Sequence, residues 1–342
     1  MKKFIASIIS TIFFGSLVFA QLTEFSQGDI LSAGAMNQNF SHLQNQFSLN
    51  KKEIDCSSDN LTATINQGYN HIVINGNCSV KNLFIGLFDI SPYCNHSQAN
   101  NNIQRLMISG KTGKSSDTLT INGSANCDSQ IGVFHGGSLN VSDITINLSG
   151  SIMSSNSGNI RMRNVIVAGG SSGSTIGAQR VGHIQLENFT TTSHDIGAES
   201  GSMIYLENTT SKDMYIRNNG MIEGDNVTVS DLTIDTAGVA EFNKLTIDCS
   251  SASSACITAY GGTTIKLQNS TITGNGSTHA ISIFGAYLDL KGSTINSTNS
   301  ESIKVDYSYI SASTNNTIQG TIICSQNGLG AFDSAHTTSG CN

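Results

Sequence analysis

Three aspartates recur at an interval of 18 residues, Asp195, Asp213 and Asp231, each opening a short segment of alternating polarity: DIGAES, DMYIRN and DLTIDT. Two residues into these segments stand Tyr215 and Thr233, and two further on stand Glu199, Arg217 and Asp235. If the segments are strands in successive turns of a repeating structure, alternate residues share a face and neighbouring carboxylates lie about 5 Å apart. Ionised carboxylates at that spacing repel unless a cation or a shared proton intervenes. Calcium takes oxygen ligands in loose geometry, so Asp195, Asp213 and Asp231 read as a weak calcium site, with no other cofactor expected. Glu199, Tyr215, Arg217 and Asp235 are then the side chains placed to contact a substrate or glycan. The competing reading is that aspartate opens a strand because its carboxylate satisfies turn amides. Glu187, Glu207 and Asp225 extend the acidic character to a second face.

Other reactive chemistry is sparse. The eight histidines include no pair at helical metal-binding spacing and read as solvated or turn residues; no serine sits in a nucleophile elbow, so no catalytic residue is assigned. With no tryptophan, sugar stacking falls to Tyr215, Tyr260, Phe284 and Tyr307, the last three near one another on one face, with core or turn roles competing. The eight cysteines are not spaced as a zinc site. Pairing each with its neighbour gives Cys56–Cys78, Cys94–Cys127, Cys249–Cys256 and Cys324–Cys341, which suits an oxidising compartment.

That compartment agrees with residues 1–20, where Lys2 and Lys3 precede an apolar run ending in Val18-Phe19-Ala20, the form of a cleaved signal peptide. The mature chain is expected to begin near Gln21 and to be secreted or held at the cell surface, with no later segment able to span a bilayer. A net charge of -7, with only 12% charged residues, argues against nucleic acid as a partner.

The elements that must position these residues come from a repeat. GSLNVSDITI from Gly137, GNIRMRNVIV from Gly158, GHIQLENFTT from Gly182, GSMIYLENTT from Gly201, GMIEGDNVTV from Gly220, GVAEFNKLTI from Gly238, GTTIKLQNSTI from Gly262 and GAYLDLKGSTI from Gly285 align at a period of 18 to 24 residues. Units this short, with period-2 alternation, cannot bury their own apolar face and must stack. Each has a second alternating stretch before its glycine, and the stretch after it divides at a turn into two strands. Three strands per coil give an all-β, right-handed parallel β-helix, nine coils making a rod of roughly 40 Å.

The dividing turn carries Asn164, Asn188, Asn208, Asn226, Asn269 and Asn315 in register, with Asp143, Lys244 and Gly292 at the equivalent point elsewhere. Asparagine tolerates the left-handed conformation of a sharp bend, and its amide can bond to the next coil. Two residues later a threonine column from Thr145 to Thr317 faces outward, followed by inward Ile146, Val229, Ile247, Ile272 and Ile295.

On these coils and columns the chain resembles the pectin-lyase-like right-handed parallel β-helix proteins over residues 55 to 325. The resemblance implies the architecture and, in its enzymes, polysaccharide chemistry on the outward face of one sheet. The motifs of polygalacturonases, pectate lyases and pectin methylesterases are not found: there is no Asp-Asp, Gly-His-Gly, Arg-Ile-Lys or Trp-Ile-Asp-His. The segment Phe25 to Lys52 resembles leaders that precede repetitive rods in bacterial exported proteins and phage tail fibres. Its Met36, Phe40, Leu43 and Phe47 make a short helical stripe that can cap its own rod or join copies as a homo-trimer.

The expected organisation is a signal peptide at 1–20, a helical leader or cap at 21–54, the β-helix at 55–323 and a disulfide-closed tail at 324–342. Within 51–127, ATINQGYNHIVINGNCSVKNLFI and RLMISGKTGKSSDTLTING are expected to provide strands of irregular first coils. The expected function is a non-enzymatic, adhesin-like or structural interaction protein meeting a glycan or other cell-surface component. The alternative is a polysaccharide lyase or hydrolase, or a glycan-binding module, using the acidic coils around 195–235.

Overall fold

A computed structural model describes residues 50–86, 103–123, 130–170, 173–249, 254–274, 279–297, 301–313 and 315–341. The signal segment, the leader stripe, Cys94 and Cys127 lie outside the described residues. From Lys51 onward the chain forms one compact unit, a parallel β-solenoid. Each strand pairs in parallel with its equivalents one turn away: Ile160, for example, is in register with Leu139 on one side and Ile184 on the other. The strands preceding the repeat glycines form one sheet of twelve, stacked in strict chain order from Leu83–Ile85 to Thr338–Ser339. The second and third strands of the coils share the other sheet, and in Met203–Thr210, Met221–Val229 and Val239–Cys249 they run through their common corner without a break.

The sequence expectation of nine coils falls short of these twelve strands. Ile152–Ser155, Thr321–Ser325 and Thr338–Ser339 all belong to the stack, so the segment read as a tail after 323 continues the solenoid. The opposite end also differs. The first strand, Lys51–Asp55, pairs with His71–Asn75, four residues before the expected boundary. Between them ATIN is helical, in Leu61–Asn66, where Asn60 caps the first turn by accepting from the Ala63 amide at 2.9 Å. Leu61 and Ile65, one helical turn apart, are buried in the core.

The core is a set of inward columns. Ile247, Ile272 and Ile295 are 0% exposed in successive coils, as are Ile196, Ile216 and Ile234 on the first face. Strict alternation along each strand produces this, because an inward residue is followed by an outward one. The bend column has the backbone expected of it: Asp143, Asn164, Asn188, Asn208, Asn226, Lys244 and Asn269 have φ between 48° and 58°, and Gly292 has 62°. Asn226 Nδ2 donates to Asn208 Oδ1 at 2.8 Å, and Asn208 Nδ2 to Asn188 Oδ1 at 3.1 Å. Lys244 has no amide to offer, and the ladder steps sideways: Asn269 donates to Asn243 at 2.9 Å and Asn243 to Asp225 at 2.6 Å.

Corners between the third strand and the next coil vary most. The chain passes from Val229 to Asp231 through one residue and from Thr210 to Asp213 through two, whereas later strands end at Cys249 and Gly274 and resume only at Ile257 and Ile281. Cys249–Cys256 is bonded across the first of these longer corners, Cys56–Cys78 ties the first coils, and Cys324–Cys341 ties the last. Among the described residues no cysteine is free, and no helix is long and apolar enough to cross a membrane.

Candidate functional sites on the outer surface

Two outward clusters stand on this frame, one in the acidic coils and one nearer the carboxyl end. In the first, Asp213 is in register with Asp231, and Asp195 stands one step before the paired Ile196 and Met214, so the three aspartates form one column. A cation already lies in it. Lys212, in the short corner before the Asp213 strand, places its Nζ 3.0 Å from Asp195 Oδ1 and 3.1 Å from Asp213 Oδ2. Hydrogen bonds to Asp195 and then Asp213 hold the Lys212 pKa above the usual lysine value. Asp231 forms no ion pair with it, and its carboxyl is pushed up to about 6, first by burial and then by the charges of Asp213 and Asp195, which outweigh the opposing Lys212 charge. Among the described residues no group of three His, Cys, Asp or Glu side chains converges as a metal cage.

The rest of the predicted site is tied together in the same way. Arg217 is paired in register with Glu199, 4.0 Å away, and its guanidinium stands 5.0 Å from the Tyr215 ring centroid. Gln179 donates to Glu199 at 3.2 Å, and Asp235 accepts from the Thr236 hydroxyl at 3.0 Å. Tyr215 is in register with Gly197, which is in register with Gly177. Its ring lies down over Gly197, occupying the space a Cβ there would need, while the Met153 sulfur stands over Gly177 at the opposite end. Burial, and then the Glu199 charge, raise the Tyr215 pKa, while a hydrogen bond with Thr175 opposes them. Tyr215 is therefore a packed cover and does not form a stacking platform with the other three aromatics. His194 also departs from the solvated or turn reading: it is 0% exposed, with Nε2 3.0 Å from the Gly150 carbonyl, and burial lowers its pKa.

The second cluster gathers Tyr260, Phe284 and Tyr307 as expected and adds residues that the sequence reading passed over. Tyr260 is in register with Phe284, whose ring meets Tyr307 edge to face at 5.2 Å. Around the corner, on the second strands, Tyr287 and Tyr309 are in register and stack at 5.7 Å with 6° between their planes, and Leu329 follows in the next coil. Tyr260, Phe284, Tyr307, Tyr309 and Leu329 are all 40–51% exposed. Between Tyr307 on one side and Tyr287, Tyr309 and Leu329 on the other runs a groove of about 410 Å³. Its floor is the backbone of Gly262 and Gly285, at φ of 76° and 64°, where a side chain would be strained and would fill the space. The signal was present in the aligned repeats: GTTIKLQ and GAYLDLK put Thr264 and Tyr287 in one column, and YSYISAS continues it at Tyr309.

Compared with known proteins, the chain matches no family model, no curated protein and no solved structure.

Proposed function

We propose that this chain is an exported, non-enzymatic interaction rod that presents outward side chains to a glycan or other cell-surface component. The observation that carries the reading is the contrast between the two clusters. Both cations of the acidic coils are already engaged, Lys212 with Asp195 and Asp213 and Arg217 with Glu199, whereas the aromatic cluster keeps large rings exposed to solvent. Three local disulfides, counting only described cysteines, support export into an oxidising compartment, in keeping with the basic and apolar segment at 1–20. Homo-trimerisation through the Met36, Phe40, Leu43, Phe47 stripe belongs to the same proposal. Deleting residues 21 to 50 would convert a trimer to a folded monomer by light scattering, and an unchanged mass would remove that part.

The enzyme reading retains one supporting observation: Asp231, raised to about 6 beside Asp213, resembles an acid and carboxylate pair. One experiment separates the two readings. The mature chain is incubated with insoluble neutral and acidic polysaccharides and with mucin-coated beads, with and without calcium, and both co-sedimentation and soluble product are measured. Retention without product is expected. Product release that disappears in Asp231→Asn would replace the interaction rod with a hydrolase or lyase.

A further inference from the structure

We propose that the glycine-floored groove between Tyr307 and the Tyr287–Tyr309 pair is a binding subsite for a neutral, linear glycan lying along the rod axis. The inference rests on the interaction-rod reading and supplies it with a ligand class and a place.

Three observations support it. The first is the lining chemistry. Gly262, Thr264, Gly285, Tyr287, Tyr307, Tyr309, Asn327 and Leu329 carry no formal charge, and neither do the remaining residues of the groove. The hydroxyls of Tyr287, Tyr307 and Tyr309 make no hydrogen bond to another described residue. A groove offering rings together with free hydroxyls matches a sugar, which presents C–H faces and hydroxyl edges without charge. Lys304 and Lys266, on strands beside the groove, are already held, by Asp306 at 2.9 Å and by Glu241 at 2.6 Å, which weighs against an acidic glycan.

The second observation concerns direction. The column containing Tyr287 and Tyr309 runs Val239, Thr264, Tyr287, Tyr309, Leu329 in consecutive coils, so the groove follows the stacking axis. Coils repeat at about 4.8 Å, which gives a linear chain a regular set of contacts rather than a single pocket. The third observation removes a peptide strand as occupant. The corner amides are consumed within the rod, Gly262 N donating to Gly285 O at 2.6 Å and Gly285 N to Asp306 O at 2.9 Å, so no strand edge is open there for pairing.

Because the chain has no tryptophan, its tyrosine emission is not masked, and three of its eight tyrosines, Tyr287, Tyr307 and Tyr309, line the groove. The mature chain is titrated with cellohexaose, xylohexaose and mannohexaose, and with hexagalacturonate as the acidic comparator. At least one neutral hexasaccharide is expected to bind at sub-millimolar concentration with a change in tyrosine emission. Tyr309→Ala and Tyr307→Ala should each weaken it about tenfold, and Tyr215→Ala should leave it unchanged. Tyr307 is half exposed, so its variant keeps the test valid if Tyr309→Ala lowers the unfolding midpoint. Failure of all three neutral sugars at millimolar concentration would overturn the proposal, as would equal binding of hexagalacturonate or binding indifferent to both groove variants. If the groove variants change only the molar mass in light scattering, the surface joins copies of this chain, and the glycan proposal also falls. None of these outcomes touches the interaction-rod reading, which product release, or the absence of any retention in the co-sedimentation experiment, would overturn.

Discussion

The coils from 195 to 235 and those from 257 to 332 share one inward frame and a glycine at the repeat corner, and differ at one outward position of the first strand. In the acidic coils Gly197 occupies that position, as Gly177 does in the coil before, and the neighbouring Tyr215 folds down over Gly197. In the aromatic coils the equivalent position carries Thr258 and Ser282, the rings stand on either side of the corner glycines Gly262 and Gly285, and a groove opens between them. The same residue type thus hides an aromatic in one place and displays several in another. A solenoid fixes its inward residues by burial and leaves the outward ones to be decided by such local accommodations.

The largest effect should fall equally on both regions. Ile216→Ala and Ile283→Ala each empty a fully buried position and should cost about 2–5 kcal/mol. Chemical denaturation of the two variants checks this, and a markedly smaller loss in the aromatic coils would mean that their core is looser than the acidic one. A smaller effect should appear only in the acidic coils. Gly197→Ala drives a Cβ into the Tyr215 ring and should destabilise by about 1–3 kcal/mol, as overpacking does. Adding Tyr215→Ala should recover part of that loss, and strict additivity would show that the ring does not occupy the glycine's space.

Next in size is a pH effect. The Asp231 carboxyl titrates near 6 in the folded chain, against 3.8 as its ordinary value. A folded-state pKa raised in an acid favours the folded state at low pH, and this contribution is lost as pH rises from 3.8 through about 6. Asp231→Asn should therefore unfold at nearly the wild-type midpoint in acid and at a higher one above the titration. A constant difference between the two proteins across that window would deny the shift. His194 opposes this trend, since its lowered pKa makes acid unfavourable, so the two are separated by comparing Asp231→Asn with wild type rather than by the wild-type profile alone.

Smallest is the contribution of the ion pairs. Lys212 is 45% exposed, and Lys212→Gln should cost at most about 1 kcal/mol. Its more informative effect is on cations. Calcium titrated into wild type, Lys212→Gln and Asp213→Asn by calorimetry should bind most tightly where the lysine is gone and least where Asp213 is neutral. Equal heats in all three would remove the column as a cation site.

The fold was legible because two signals agree, alternation along each strand and asparagine at each bend, and both act through local backbone geometry that every coil repeats. The helix Leu61–Asn66 was not legible: six residues are too few for a 3.6-residue pattern, and its threonines and isoleucine are good strand formers. The aspartate column was readable from spacing alone. Lys212 was not, because it stands in a corner, where no periodicity says which way a side chain will turn. Tyr287 and Tyr309 escaped for a related reason: their neighbours across the groove lie on a different strand of the same coil, and alternation within one strand carries no information about what stands around the bend.

The unequal corners before the first strands bear on how this molecule can change over evolutionary time. Where Val229 reaches Asp231 through a single residue, the corner leaves no slack between the strands it joins. Seven and six residues separate the strands ending at Cys249 and Gly274 from the next, and lengthening such a connection adds closure entropy only slowly, about 0.6 kcal/mol for each doubling. New segments can therefore be acquired at these corners without disturbing the coils that carry them. The Cys249–Cys256 bond closes the first of these corners, holding together the ends from which any added segment would start and return.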